Sequence, residues 1–157
     1  MEQVPLDEFR VTETVRVRFN EIDGQNIVFN AHYLVYADIG VTEYFRALGE
    51  GQPGPYFHQY GTDIRETRCE IEYHAPARLD EQITIAARVS RFERTSFTVH
   101  CAIFRGIERL TDIAIDHSEH AQLAPAQIDQ ACALMRAHGL TATVSSIHIN
   151  GWIGDHD

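Results

Sequence analysis

From Phe9 to Phe19 apolar and polar positions alternate. Phe9, Val11, Val15, Val17 and Phe19 fall on one side, and Arg10, Thr12, Thr14, Arg16 and Arg18 on the other. A period of two predicts a half-buried strand. A loop over residues 20–29 follows, with turn chemistry at Asp23-Gly24-Gln25-Asn26. Asn30 reads as an N-cap, and the apolar spacing predicts a helix from there to about Leu48, stopped by Gly49 and Gly51. Its apolar residues, among them Tyr33, Leu34, Val35, Tyr36, Ile39, Val41, Tyr44 and Phe45, point nearly all round the axis. Such a helix is expected to be buried.

Alternation returns at Cys69, Ile71 and Tyr73, then at Ile83, Ile85, Ala87 and Val89, and again at Phe97, Val99, Cys101 and Ile103. A last strand runs from Leu110 to about Leu123. Ala75-Pro76, Glu93-Arg94-Thr95 and Gly106-Ile107-Glu108 read as hairpin turns, so the sheet should be antiparallel. In the last strand Ile113 and Ile115 share parity with His117 and Glu119, which predicts a bulge or an exposed end there. After Pro125, the spacing of Ile128, Ala131, Cys132 and Met135 predicts a short helix ending by Gly139. The order is one strand, one buried helix and four strands. It predicts an α+β fold in which a curved antiparallel sheet wraps the helix. A single domain over 1–157 is expected, with a core at about 9–123 and a C-terminal helix and tail at 124–157.

Composition narrows the chemistry. Thirteen Lys+Arg against 23 Asp+Glu gives 13 − 23 = −10, with a pI near 5.3, which argues against nucleic acid as a partner. Every basic residue is Arg, so Schiff-base, PLP and P-loop chemistry are excluded for lack of a lysine. Cys69, Cys101 and Cys132 form no Cys-x-x-Cys and are expected to be small buried hydrophobes. Nine histidines show no metal-ligand spacing; His117 and His120, three apart on a strand, would face opposite ways. No metal or cofactor is therefore expected. No apolar run approaches the ~20 residues of a membrane helix, and MEQVPLDEF lacks a signal-peptide core. A cytoplasmic protein with no membrane partner is expected.

The stretch Arg18-Phe19-Asn20-Glu21-Ile22-Asp23-Gly24-Gln25-Asn26-Ile27-Val28-Phe29-Asn30-Ala31-His32-Tyr33-Leu34 resembles the signature of hotdog-fold acyl-CoA thioesterases of the 4-hydroxybenzoyl-CoA thioesterase type. There an arginine-aromatic strand end leads to two acids spaced by one residue, a Val-Val-type step and a small-x-Tyr-Leu helix opening. The resemblance covers about residues 10–123 and implies hydrolysis of an acyl-CoA thioester. The catalytic aspartate falls on Asp23, as nucleophile or as general base for water. The oxyanion donor falls on the main-chain N–H of Asn30. Helix starts independently suit that task, because their N–H groups are unpaired and the dipole is positive there. Asn26 stands where the family usually has Gly, and Asn also tolerates the left-handed region.

The same resemblance puts Asn26, Ile27, Val28, His32 and Tyr33 around the substrate. In another hotdog subclass the acid comes from mid-helix, a place held here by Glu43, with Asp38 a weaker candidate. The family's phosphate-contacting turn falls on Glu93-Arg94-Thr95-Ser96-Phe97. Arg94, with Arg91, Ser96 and Arg88 nearby, is the expected site for coenzyme A. Tyr36, Tyr44, Phe57 and Tyr60 are candidates for an aryl pocket. A homodimer or a dimer of dimers is expected, since one curved sheet leaves an open edge. A non-catalytic acyl-CoA-binding hotdog module and a hotdog dehydratase drafting His32 are the alternatives.

Overall fold

A computed structural model of the chain describes residue 1 and residues 3–48 and 64–119. The C-terminal helix and tail, Phe57, Tyr60, His120 and Cys132 lie outside the described residues. The elements are β1 (Val11–Arg16), α1 (His32–Leu48), β2 (Ile64–Tyr73), β3 (Gln82–Phe92), β4 (Ser96–Arg105) and β5 (Glu108–Glu119). All pairings are antiparallel, and the spatial order is β1-β3-β4-β5-β2. Among the described residues no helix is long and apolar enough to cross a membrane.

The helix is buried along one stripe rather than all round. Tyr33, Tyr36, Ala37, Gly40, Val41, Tyr44, Phe45 and Leu48 recur at helical spacing and pack onto Ile83, Ile85, Val99, Cys101 and Ile113 of the sheet. Leu34 and Val35, on the far side, are exposed by 42% and 46%. A five-stranded sheet covers half a helix; the expectation of full burial fails on that geometry. The approach is close, since a Cβ on Gly40 would lie 2.9 Å from Ile85 Cγ2.

Several sequence expectations are corrected by long-range pairing. Ala75-Pro76 is not a hairpin: β2 pairs with β5, whereas β3 lies between β1 and β4. The segment 74–81 therefore crosses the end of the sheet, pinned where the His74 and Ala75 N–H groups donate to the Leu110 carbonyl at 2.9 and 3.1 Å. As an edge strand β2 is mostly exposed, and Cys69 with it, while Cys101 is buried as expected. β1 is shorter than the alternation suggested. Phe19 leaves it for a 3₁₀ turn and is 80% exposed; Phe9 folds onto the sheet's other face beside Val4, Ala86, Ala102 and Phe104. The polar end of β5 is neither bulged nor exposed at His117. That ring is buried and stacked on Phe97 at 4.9 Å, and the irregularity lies opposite, between Glu66 and Arg68 of β2.

The face away from α1 holds a buried charge node. Asp112 is fully buried; its carboxylate accepts from His74 at 2.8 Å, His100 at 2.7 Å and Arg109 at 2.5 Å. Burial would raise its pKa, but the bonds from His100 and His74 and the Arg109 charge outweigh it and hold the pKa below the usual aspartate value. Stability from this node is thus present above the ordinary aspartate pKa and lost as pH falls through the lowered one. Asp112→Ala removes the one fully buried acceptor shared by a partly buried guanidinium, the buried His100 and the more exposed His74. Urea denaturation at pH 7 should show a loss of roughly 3–5 kcal/mol, the range for breaking a buried pair. A loss below about 1 kcal/mol, the worth of an exposed pair, would mean that the node contributes only surface-like stability.

Candidate active site

Asp23 sits on a loop whose shape is fixed by its own backbone. The Asp23 N–H donates to the Ile27 carbonyl at 2.8 Å, and the Asn26 N–H donates back to the Asp23 carbonyl at 3.0 Å. Asn26 adopts φ +62°, the left-handed conformation that its position in the loop requires. The Asp23 carboxylate, half-buried, accepts the Gln25 N–H at 2.7 Å through Oδ1. Oδ2 has no hydrogen-bond donor among the described residues.

The loop is clamped at its base. The Phe29 N–H donates to the Glu21 carbonyl at 2.9 Å, and the Val28 N–H to the Ala77 carbonyl of the crossing segment at 2.9 Å. Chain direction then turns into α1. The helix begins at His32, so Asn30 lies one residue before the N-cap position, and its Oδ1 accepts the Ala31 N–H at 2.9 Å. No acceptor among the described residues takes the Asn30 N–H. It stands at the positive end of the helix as an available donor.

Asp23, Val28 and Asn30, with Tyr33, Tyr73 and residues 74–76, line a cavity of about 630 Å³. That volume suits a small-molecule site. Tyr33 and Tyr73 form one wall, ring to ring at 5.5 Å and 79°. The Tyr33 hydroxyl accepts the Ala77 N–H at 3.0 Å, and the Tyr73 hydroxyl donates to the Asn30 carbonyl at 3.0 Å. Burial pushes the Tyr33 phenol up, so it stays neutral. Ile27 also lines the cavity.

Other predicted site residues are elsewhere. His32 turns away: its Nε2 is 3.3 Å from Glu21 Oε1 and its ring packs edge-on to Tyr36 at 5.1 Å. Glu43 is paired with Arg46, thirteen residues along the chain from Asn30, or about 20 Å of helix. Asp38 is exposed, and Tyr36 and Tyr44 are core residues outside the cavity. Arg91 lies 3.5 Å from Glu93 and 3.8 Å from Asp116, Ser96 donates to Glu93 at 3.2 Å, and Arg94 is exposed on the β3–β4 turn. The Asp23 loop adjoins the segment just before β3, where Ile27 pairs with Arg78 and the Val28 N–H meets the Ala77 carbonyl. β3 then runs eleven residues, so this turn is roughly 30 Å away within one chain. Arg88 sits over Phe9 on the opposite face of the sheet.

Two residues of the site carry no plain signal in the sequence. Alternation places Tyr73 on a strand face and says nothing of a cavity. Glu21 reads only as the first acid of a pair, yet it is 1% exposed and lies between the loop and the helix. For a metal, Glu72, His74 and Asp112 offer ligand atoms within 4.8 Å of one another, but on the far face of the sheet, where His100 and Arg109 already hold Asp112.

A family profile described as the thioesterase superfamily matches residues 25–111, more than half of the chain. The curated acyl-CoA thioester hydrolase YbgC of Escherichia coli O6:H1 is 28% identical over 82 residues, which is 52% of this chain and 60% of that protein. The chain thus spans less than two thirds of that relative's length. Among solved structures, a thioesterase-superfamily protein from Jannaschia sp. CCS1 superimposes with TM-score 0.74 at 16% identity, covering 87% of this chain and 97% of that one. A Thermus thermophilus thioesterase, solved with coenzyme A and Zn, gives 0.63 at 20% identity, with 78% and 96% covered. The fold is the hotdog arrangement expected from the sequence. The profile match covers the Asn26–Tyr33 stretch that shapes the cavity, and it settles the family: the chain belongs to the thioesterase superfamily.

Proposed function

We propose that the chain hydrolyses an acyl-CoA thioester to the free acid and coenzyme A. The observation that carries this reading is the meeting, at one cavity, of the Asp23 carboxylate and the unclaimed Asn30 N–H. A thioester carbonyl lying between them would have its carbon beside Asp23 and its oxygen at the helix start. Charge developing on that oxygen is stabilised by a donor that needs no reorganisation. Asp23 then acts in one of two ways. It attacks the carbonyl to give a mixed anhydride that water opens, or it takes a proton from water as the water attacks. In the first the C–S bond breaks as the anhydride forms and the thiolate takes its proton from the medium; in the second the C–S bond breaks as the tetrahedral adduct collapses and the thiolate takes the proton that Asp23 removed from water. Asn30 contributes through its backbone N–H, its side-chain oxygen being taken by the Ala31 N–H.

The protein acts in this reading as a homodimer or dimer of dimers. Phe29, which lines the cavity, and Leu34 and Val35 on the outer side of α1 are exposed by 52%, 42% and 46%, apolar surface that a second copy would cover. Arg94, with Arg91 and Ser96, serves the coenzyme A phosphates only from the partner, because within one chain it lies too far from Asp23. No resident metal or cofactor takes part. Glu43, ion-paired with Arg46 and about 20 Å of helix from Asn30, is given no catalytic part in this reading.

Chelator-treated protein should release thiol from at least one member of a panel of short, medium, long and aryl acyl-CoAs. Asp23→Asn should lower kcat by roughly 10²-fold or more while the protein stays folded, and Glu43→Gln should do less. Activity lost with EDTA and restored by zinc contradicts the mechanism; inactivity with tight binding of one acyl-CoA favours a binding module instead.

Arg94→Ala tests the phosphate site. Losing one charge-assisted contact should cost about 1.5–3 kcal/mol, seen in KM rather than kcat because ground and transition states share it. The defect should shrink with a truncated thioester lacking the nucleotide. Unchanged KM for full acyl-CoA at low salt makes Arg94 an ordinary turn residue.

A further inference from the structure

We propose that Glu21 is a positioning residue of this site, locking the Asp23 loop to the start of α1 so that Asp23 and the Asn30 N–H hold their relative places; this rests on the thioesterase reading above. The geometry is specific. Oε2 accepts the Arg18 N–H at 2.8 Å and the Tyr36 hydroxyl at 2.7 Å. Oε1 accepts Arg18 Nε at 2.7 Å, with Arg18 Nη2 at 2.5 Å and His32 Nε2 at 3.3 Å. One buried carboxylate thus joins the end of β1 to the second turn of the helix. The same residue's carbonyl receives the Phe29 N–H, and Phe29 immediately precedes Asn30. Side chain and backbone of Glu21 therefore grip both ends of the segment that presents the donor.

The site uses the charge and not only the shape. Burial would raise the Glu21 pKa, but the bonds from the Arg18 N–H, the Tyr36 hydroxyl and the Arg18 side chain outweigh it and keep the group ionised. Every group hydrogen-bonded to the two oxygens is a donor. A glutamine must place its own NH₂ against donors on one side or the other, so Glu21→Gln breaks the lock without changing volume. Burying an acid two residues from Asp23 is costly for a fold that needs only a turn, and two ordinary apolar side chains would join a strand to a helix as well.

The test compares the parent with Glu21→Gln, Tyr36→Phe and the double variant in the full chain. Steady-state kinetics with an accepted acyl-CoA should show kcat down roughly 10-fold or more for Glu21→Gln with KM changed by less than about twofold, the pattern of a lost transition-state interaction. Tyr36→Phe keeps the buried ring and removes one donor; it should show a smaller drop of the same kind. The double variant should be no worse than Glu21→Gln, because both changes break one bond. Hydrogen exchange over residues 26–33 should be faster in both single variants. This readout stands without turnover, so a parent inactive on every acyl-CoA sinks the thioesterase reading and leaves exchange to decide the positioning. Should Glu21→Gln fail to fold, Tyr36→Phe alone decides. The proposal is overturned if folded variants keep parental kcat, or if exchange over 26–33 is unchanged.

Discussion

The helix and sheet meet at a distance that only glycine permits. At Gly40 a single added carbon would press to 2.9 Å on a methyl of the fully buried Ile85. That approach lets the stripe from Tyr33 to Leu48 reach into the concave face of the sheet and bury large side chains there. It fixes the height and rotation of α1, and so determines where the first turn of the helix emerges. Apolar burial at about 25 cal/mol per Å² holds the two layers together, but it is non-directional and would tolerate some sliding. Directional contacts at the helix start remove that freedom.

Those contacts come from three sides. Glu21 reaches Tyr36 from the β1 side, Tyr73 reaches the Asn30 carbonyl from the β2 edge, and Tyr33 takes the Ala77 N–H of the crossing segment. Each is a polar group satisfied at the rim of the apolar core. Together they leave the Asn30 N–H without an acceptor among the described residues while the groups around it are paired. An unspent donor amid satisfied neighbours is what electrostatic catalysis needs, because the surroundings are already ordered when charge appears. The Asp112 node plays a similar part on the far face. It ties the end of β2, and so Tyr73, to β4 and β5.

Much of this is legible in the sequence because it is local. Alternation at Val11–Val17 and at Phe97–Ile103, the helical spacing after Asn30 and the Asp23–Asn26 turn are written within a few residues, and all appear in the structure. What fails depends on partners far along the chain. Nothing near Ala75-Pro76 says that β2 pairs with β5 and not with β3, so a crossing reads as a hairpin. The exposure of Cys69 follows from that edge position, and the burial of His117 from a Phe97 ring that only the β4–β5 register brings alongside. Phe19 looks like strand because its parity is right; the pull of Glu21 on Arg18 three residues earlier ends the strand instead. An Arg-x-x-Glu spacing at the strand end is the available signal. The family resemblance locates Asp23 and Asn30 but groups them with Arg94 and Glu43, which one chain keeps roughly 20–30 Å away.

The most direct measurement is a structure of the full chain with an acyl-CoA analogue in which a methylene replaces the thioester sulfur, so that the carbonyl is kept but cannot be cleaved. The ketone oxygen should lie about 3 Å from the Asn30 N–H, with the Asp23 carboxylate facing the carbonyl carbon. A carbonyl seated beside Glu43, or an acyl chain that leaves the cavity walled by Tyr33 and Tyr73 empty, would contradict it.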